Sequence, residues 1–559
     1  ETANRHPFPC PPSTLRIRGP TALMASAVSS IYRLARAGFV LAQYGVRFVP
    51  KGHDVPLVLH VARALTWPVR MVTFPFRIGQ KRERRIGAAI AKLGPSYIKL
   101  GQFMATRADV IGPDLARDLG HLQDKLDPFP MAEARRAVED ALGGKIGDHF
   151  TSFGPAIAAA SIAQVHKATV ATEDGEKTVA VKILRPGIER RFKRDLDSYF
   201  FAARLVERFH PPSRRLRPVA VVDTLRRTTE LEMDLRLEAA AISEMADNIK
   251  ADTHADSGNF RVPEVDWLRT AKRVMTLEWI EGTPISDTEA LVACGHDLEA
   301  LGLIVIRSFL RHAMRDGFFH ADMHQGNLFV DADGAVVAVD FGIMGRLERL
   351  ERRFLAEILN GLITRDYTQA AQVHFDAGYV PAHHPVAVFA QAMRAIGEPI
   401  HGRTADQISM ADLLGQLFAY TEVFDMETRP ELIMLQKSMV IVEGVARSLD
   451  PTLNMWVAAE PIAREWVEAQ YGVSGRLRDA GEGAGAIGRL IGEVPRLIAQ
   501  TERAGQSLAS MAENGVRLDD ETIRRIAKEE RRQGIWSRAA LWVIAAAIVV
   551  LAYTVLMEK

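Results

Sequence analysis

The chain has little cysteine: two residues in 559, Cys10 and Cys294. They lie far apart and fall in no metal-ligand spacing. A disulfide framework and a cysteine-built zinc site are therefore excluded, and two free thiols in a reducing compartment are expected. An excess of one charge is also missing. Seventy Lys and Arg stand against 69 Asp and Glu, a net charge of +1, so nothing global draws the chain to nucleic acid. There is no internal repeat and no low-complexity tract. Residues 1–23 are proline-rich and basic but lack the apolar stretch of a cleavable signal peptide. They read as a disordered tail or an upstream extension.

Long hydrophobic runs are scarce as well, with one exception. Ala539–Met557, AALWVIAAAIVVLAYTVLM, holds no charge over 19 residues. As a helix it would span ~28 Å, close to the thickness of a bilayer core. Arg524, Arg525, Lys528, Arg531, Arg532 and Arg538 precede it. The positive-inside rule then predicts a single C-terminal anchor at 536–557 with the body on the cytoplasmic side. The alternative is a buried core helix.

The remainder has an ordinary globular composition, 48% hydrophobic and 25% charged, and enough length for two to four units. Residues 24–149 repeat apolar positions at three- and four-residue steps and predict a helical extension. Within it Met24–Val49 reads as an amphipathic helix, suited either to a lipid surface or to packing on the body. Residues 150–184 turn strand-like, HKATVAT and TVAVKIL around EDGEK. Helices resume over 186–249 and 288–317. Two short apolar strands flank DADG in FFHADMHQGNLFVDADGAVVAVDFG, and helical patterning then continues to about 530. GRLRDAGEGAGAIGRLIGEV reads as a linker.

The chemistry is concentrated in that last strand-bearing stretch. Asp322 is followed five residues later by Asn327, and Asp340 comes thirteen residues after that. Phosphoryl transfer needs a carboxylate beside the attacking oxygen and oxygen ligands for Mg²⁺ that reach the nucleotide phosphates. Asp322 is the candidate base, and Asn327 and Asp340 are the candidate metal ligands. The spacing matches the protein-kinase pattern H-R-D-x-x-x-x-N followed by D-F-G. Upstream, Lys182 in VAVKIL fits the strand lysine that grips phosphates. It needs a glutamate from a nearby helix, for which Glu238 is favoured. His320 and His324 lie four apart but lack the glutamate of a zinc helix, so His320 is expected to order the loop. Ala321 stands where kinases carry arginine, and no Ala-Pro-Glu follows Asp340. The phosphate machinery is present while the peptide-substrate apparatus is reduced.

Glycine is missing where a kinase would have most of it. The loop before Lys182 is AIAAASIAQV, with Ala158, Ala159, Ala160, Ser161 and Val165 at the expected nucleotide roof. Glycine lets backbone N–H groups close over phosphates. Alanine gives up that freedom, and a stiffer, more helical loop is expected.

These motifs, in this order over roughly residues 90–455, resemble the UbiB family of atypical kinase-like proteins. YIKLGQ matches the family's K-x-G-Q motif with Lys99, Gly101 and Gln102. ELEMDLRLEAA resembles its E-x-D element with Glu232 and Asp234, and RPELIMLQKSMVIVEGVARSLDPTLN its C-terminal helices. Leu235 and Gln325 depart from the usual aromatic and proline. The resemblance implies that the K-x-G-Q helix covers the active site, with Lys99 and Gln102 meeting Glu232 and Asp234 or the phosphates. It also implies ATP and Mg²⁺ as cofactors and support of ubiquinone biosynthesis at a membrane.

The expected fold is α+β: a bilobal protein-kinase-like fold with a helical N-terminal extension and a C-terminal transmembrane helix. Its parts are the extension at 24–149, an N-lobe at 150–283, a C-lobe at 284–470 and linker and helices at 471–535, before the anchor. The expected function is that of a membrane-anchored atypical kinase or ATPase at the bacterial inner membrane. Its partners would be ATP, membrane lipid or ubiquinone precursors and other ubiquinone-biosynthesis enzymes, without nucleic acid. A true phosphotransferase on a small molecule or protein, and a nucleotide-binding pseudokinase scaffold, are the alternatives.

Overall fold

The computed structural model describes residues 20–46, 82–105, 126–209, 217–254, 259–401, 430–453 and 455–471, with a few positions between them, 423–426 among these. The expected anchor at 536–557 and the linker at 471–535 lie outside the described residues, save for Tyr471. Among the described residues, no helix is long and apolar enough to cross a membrane. The chain divides into two compact units, 1–467 and 468–559. Of the second, only residues 468–471 are described, as the end of a helix.

Strand alternation builds the first sheet. β1 (Ser152–Ala159), β2 (Ala163–Thr172), β3 (Gly175–Leu184) and β5 (Val274–Glu278) form an antiparallel sheet in the order β1-β2-β3-β5. The β2–β3 ladder is unbroken from Ala163↔Leu184 to Thr172↔Gly175. Val179, Val181 and Ile183 face one side, where they pack with Ala134 and Val138 of helix α4 (Met131–Leu142). The period of two therefore turns Lys182 to the opposite face. β1 lies at the sheet edge, which tolerates the missing N–H of Pro155. Its register shifts twice between Phe153 and Ala158.

Helices α1 (Pro20–Gln43), α2 (Arg82–Leu93) and α3 (Pro95–Ala105) precede this sheet, and α5 (Ile146–His149) leads into it. Gly94, at φ 105°, separates α2 from α3. After β3 come α6 (Ile188–Phe209), α7 (Pro218–Glu232) and α8 (Leu235–Lys250). α8 buries Ala239, Ile242 and Met245 against Met275.

A second sheet has the order β4-β9-β8-β6: β4 (Phe260–Arg261), β9 (Val336–Ala338), β8 (Leu328–Asp331) and β6 (Gly282–Pro284). β8 and β9 are the two strands expected around DADG. A third strand there, β7 (Phe318–His320), pairs with β10 (Met344–Arg346). At three residues each these strands show no readable periodicity. Between the sheets' strands run α9 (Thr288–Ala293) and α10 (Leu298–Arg311), and after them α11 (Arg349–Ile363), α12 (Tyr367–Asp376), α13 (Val386–His401), α14 (Pro430–Leu449) and α15 (Met455–Tyr471). α10 and α14 share the main core through Val305, Phe309, Val442 and Ala446. α12 and α13 build a separate cluster around Phe389.

Candidate active site

β3 and α8 supply the first pair. Lys182 Nζ lies 2.6 Å from Glu238 Oε1, and both side chains are largely buried. The same ammonium lies 2.9 Å from Asp340 Oδ1. Glu238 is thus the helical partner favoured from the sequence. Burial alone would lower the Lys182 pKa, but Asp340 and Glu238 raise it above the ordinary lysine range. The lysine charge holds the Asp340 carboxyl well below the usual carboxylate range. Glu238 is pushed up to about 7, first by burial and then by Asp340, against the pull of Lys182. One cation shared by two carboxylates leaves the cluster short of positive charge.

Asp340 sits at φ 62°, left-handed for a residue with a Cβ. Such strain persists only where the surroundings impose it. Val339 N–H donates to Asn327 O at 2.9 Å on one side, and the Phe341 ring is buried on the other. His320 holds the loop, as expected. Its Nδ1 accepts from the Asp322 backbone N–H at 3.1 Å, and its Nε2 lies 3.3 Å from Val339 O. Burial lowers its pKa, so the ring is a neutral brace with Nε2 protonated. It meets Phe341 edge to face at 4.9 Å.

Asn327 ends a 3₁₀ turn, Gln325–Asn327. Its Nδ2 donates to Asp322 O at 3.1 Å, tying the candidate base to a candidate ligand. The Asp322 side chain keeps about a third of its surface open, with His324 Nε2 3.9 Å away. Two contacts were not legible in the sequence. Ser438 Oγ on α14 donates to Ala321 O at 3.1 Å, and Gln325 Nε2 donates to Ser448 Oγ at 2.6 Å. Both serines look like ordinary helix positions until α14 is packed against the loop.

The alanine stretch differs from its expectation. Ala158 and Ala159 belong to β1, and Ala160 to Ile162 form a tight connection to β2 rather than a helical loop. Ala160 N–H donates to Ala163 O at 2.8 Å. The Arg185 guanidinium donates to Ala160 O through Nε at 3.0 Å and Nη2 at 2.9 Å. Arg185 Nη2 also reaches Asp127 O at 2.9 Å. The strand pairing overrides alanine's helical propensity because Arg185 satisfies the turn carbonyl. Ser161 is fully buried at the tip. Ala158, Val165 and Lys182 are successive partners across three strands. They therefore share one face of the sheet.

The K-x-G-Q and E-x-D residues meet only in part. Lys99 Nζ on α3 lies 2.8 Å from Glu232 Oε2 at the end of α7. Asp234 instead caps α8, accepting from Arg236 N–H at 3.2 Å, and pairs with the Arg236 guanidinium at 2.7 Å. A free aspartate one residue before a helix is drawn to the exposed N–H groups there. Gln102 hydrogen-bonds to neither acidic residue. Lys99 still adds to the positive field at Asp340.

Carboxylate and amide oxygens at Asp340 and Asn327 are the hard donors that suit Mg²⁺. A lysine on the strand above them suits a polyphosphate, so the donor set fits Mg-ATP.

Residues 121–374 match the ABC1 atypical kinase-like domain, and residues 393–454 match the UbiB helical domain. A Marinobacter nauticus protein named "Probable protein kinase UbiB" is 37% identical over 457 residues, 81% of each chain. The chain belongs to the UbiB family of atypical kinase-like proteins. A Xylella fastidiosa protein of the same name is 35% identical over 478 residues, 84% of each chain. A solved Mycobacterium tuberculosis complex of Rv3197 with erythromycin aligns at 24% identity with a TM-score of 0.43, covering 67% of this chain and 94% of that one. The kinase-like match contains Lys182, Glu238, Asp322, Asn327 and Asp340. The helical match contains Ser438 and Ser448. Lys99 and Gln102 precede both.

Proposed function

We propose that this UbiB-family chain binds Mg-ATP between the β3 face and the 320–342 segment, and that it supports ubiquinone biosynthesis at a membrane. The observation that carries the reading is Lys182 held by Glu238 from α8 and by Asp340 from the later loop. Two carboxylates, 56 and 158 positions away in the sequence, converge on one ammonium. In this reading Lys182 neutralises nucleotide phosphates, Glu238 fixes its position, Asp340 and Asn327 ligate the metal, and Asp322 orients the attacking group. Ala158 and Val165 form the roof beside Lys182, and Lys99 and Glu232 close the side of the cleft. The N-lobe is then 150–283 and the C-lobe 284–470. A C-terminal helix at 536–557 anchors the body at the cytoplasmic face of the inner membrane.

ATPase use in handling lipid precursors or biosynthetic enzymes fits better than protein phosphorylation. Only residues 341–348 separate Asp340 from α11, too few for a peptide platform. A phosphotransferase acting on a small acceptor remains the second reading, favoured by the partly open Asp322 carboxylate.

The test is quinone profiling of a deletion strain complemented with wild type or Asp340→Asn. The variant is expected to fold, lose Mg²⁺-dependent ATP turnover by about a hundredfold or more, and leave quinone low. Normal quinone levels with Asp340→Asn would remove nucleotide chemistry from the function. Stoichiometric phosphate on a defined acceptor would favour the second reading.

A further inference from the structure

A second concave site lies away from the cleft, between α1 and α6. Its volume is about 490 Å³, and five arginines line it. Arg33 and Arg36 come from α1, one turn apart. Arg190, Arg191 and Arg194 come from the first turns of α6. Spacings of three and four residues stack such side chains on one helix face, so both helices present their cations to the same volume.

The counter-charge is short. Among the described residues, Asp195 is the one acidic residue of the lining. Its carboxylate already accepts from the Ser96 hydroxyl and faces Arg33 at 3.5 Å. Arg191 is turned to the Leu93 carbonyl at 3.0 Å, at the C-terminal end of α2. Arg194 Nε donates to the Arg190 carbonyl at 3.2 Å. Among the described residues, the Arg36 and Arg190 side chains have no carboxylate partner. Five cations around one committed anion repel one another, and a multiply charged anion relieves that repulsion. Guanidinium groups present paired donors matched to phosphate oxygens.

We propose that this arginine basin is a binding site for a phosphorylated ligand, either a free pyrophosphate-like group or the phosphodiester headgroup of an anionic lipid. The volume exceeds what one inorganic phosphate fills. The surface around it adds a second feature. Val28, Ile31 and Tyr32 on α1 are 67%, 54% and 70% exposed, and they lie on the stripe that continues into Arg36 and Phe39. An apolar stripe ending in an arginine pocket matches the order of acyl chain and headgroup in a lipid. The site also touches the family motif: Tyr97 lines it, two residues before Lys99 on α3. The proposal does not depend on ATP turnover in the cleft.

The test uses the full chain with the cleft saturated by Mg-ADP, so that pyrophosphate reports on the basin. Pyrophosphate binding is measured by calorimetry, and recruitment to phosphatidylcholine vesicles with and without phosphatidylglycerol by flotation. The Arg190→Ala/Arg194→Ala pair is exposed and is expected to keep the fold. It should weaken pyrophosphate binding about tenfold or more. Arg204→Ala/Arg208→Ala, on the same helix outside the basin, should not. A parallel or isolated loss of phosphatidylglycerol-dependent recruitment assigns the site to a lipid headgroup. Loss of pyrophosphate binding with unchanged recruitment assigns it to a free phosphorylated ligand. Wild-type pyrophosphate affinity together with wild-type recruitment in Arg190→Ala/Arg194→Ala would overturn the proposal.

Discussion

Lys99 and Glu232 form a 2.8 Å ion pair between the N-terminal extension and the kinase-like domain, and both side chains are mostly withdrawn from water. Removing one partner leaves the other charge poorly solvated. Lys99→Ala should lower unfolding free energy by about 1–3 kcal/mol. The Lys99→Ala/Glu232→Ala double variant should cost less than the two single changes summed. Denaturant unfolding of all four proteins gives the coupling energy, and strict additivity would show that the pair contributes nothing. Asp234 behaves differently although it belongs to the same motif. Its carboxylate caps α8, so Asp234→Ala should act through the helix that positions Glu238. That variant should lose about 1 kcal/mol of stability.

At the scale of elements, two short pieces decide the site. β7 and β10 bring His320 beside Met344, and Gly345 leaves space for the Phe319 ring. A Cβ at Gly345 would lie 2.1 Å from that ring, and Phe319 is packed edge to face on Phe309 at 5.6 Å. Gly345→Ala should therefore destabilise by about 1–3 kcal/mol and disturb the His320 brace. Thermal unfolding together with ATP turnover measures both effects. The β1–β2 connection is the other piece. Arg185 clamps its carbonyl and the 126–130 segment together. Arg185→Ala and Ala160→Gly both loosen that clamp, by loss of donors or by added backbone freedom. Each is expected to change ATP and ADP affinity without unfolding the chain. Unchanged nucleotide titrations would take the alanine connection out of the binding site.

Across the whole molecule, buried imidazoles make stability depend on acid. Burial lowers His374 to about 4 and His312 to about 3. His374 sits in the α12–α13 cluster with its Nδ1 2.7 Å from Ala370 O. A histidine kept neutral in the fold contributes its stability fully above the unfolded value of ~6.5, and that contribution is lost as pH falls toward the folded value. For His374 the loss should reach about 3 kcal/mol between pH ~6.5 and ~4. His374→Gln should flatten the acid limb of the unfolding midpoint against pH. An unchanged acid limb would place the sensitivity elsewhere.

The order of chemistry was legible in the sequence because its spacings are local. Asp322 to Asn327 is one loop, DADG is one turn, and VAVK is one strand whose alternation puts Lys182 opposite Val181 and Ile183. Glu238 could be favoured because it lies in the helix-patterned stretch 186–249 that follows Lys182. The tertiary structure decided what depends on packing between distant segments. It joined Lys182 to Asp340, Lys99 to Glu232 and Ser438 to the loop at Ala321. It made Asp234 a cap, left Gln102 without an acidic partner, and turned the alanine stretch into a clamped strand connection. Five arginines scattered over α1 and α6 became one basin only when those helices packed side by side. Local propensity and spacing act over a few residues, whereas the balance of charge in a site is set by whichever elements the hydrophobic core brings together.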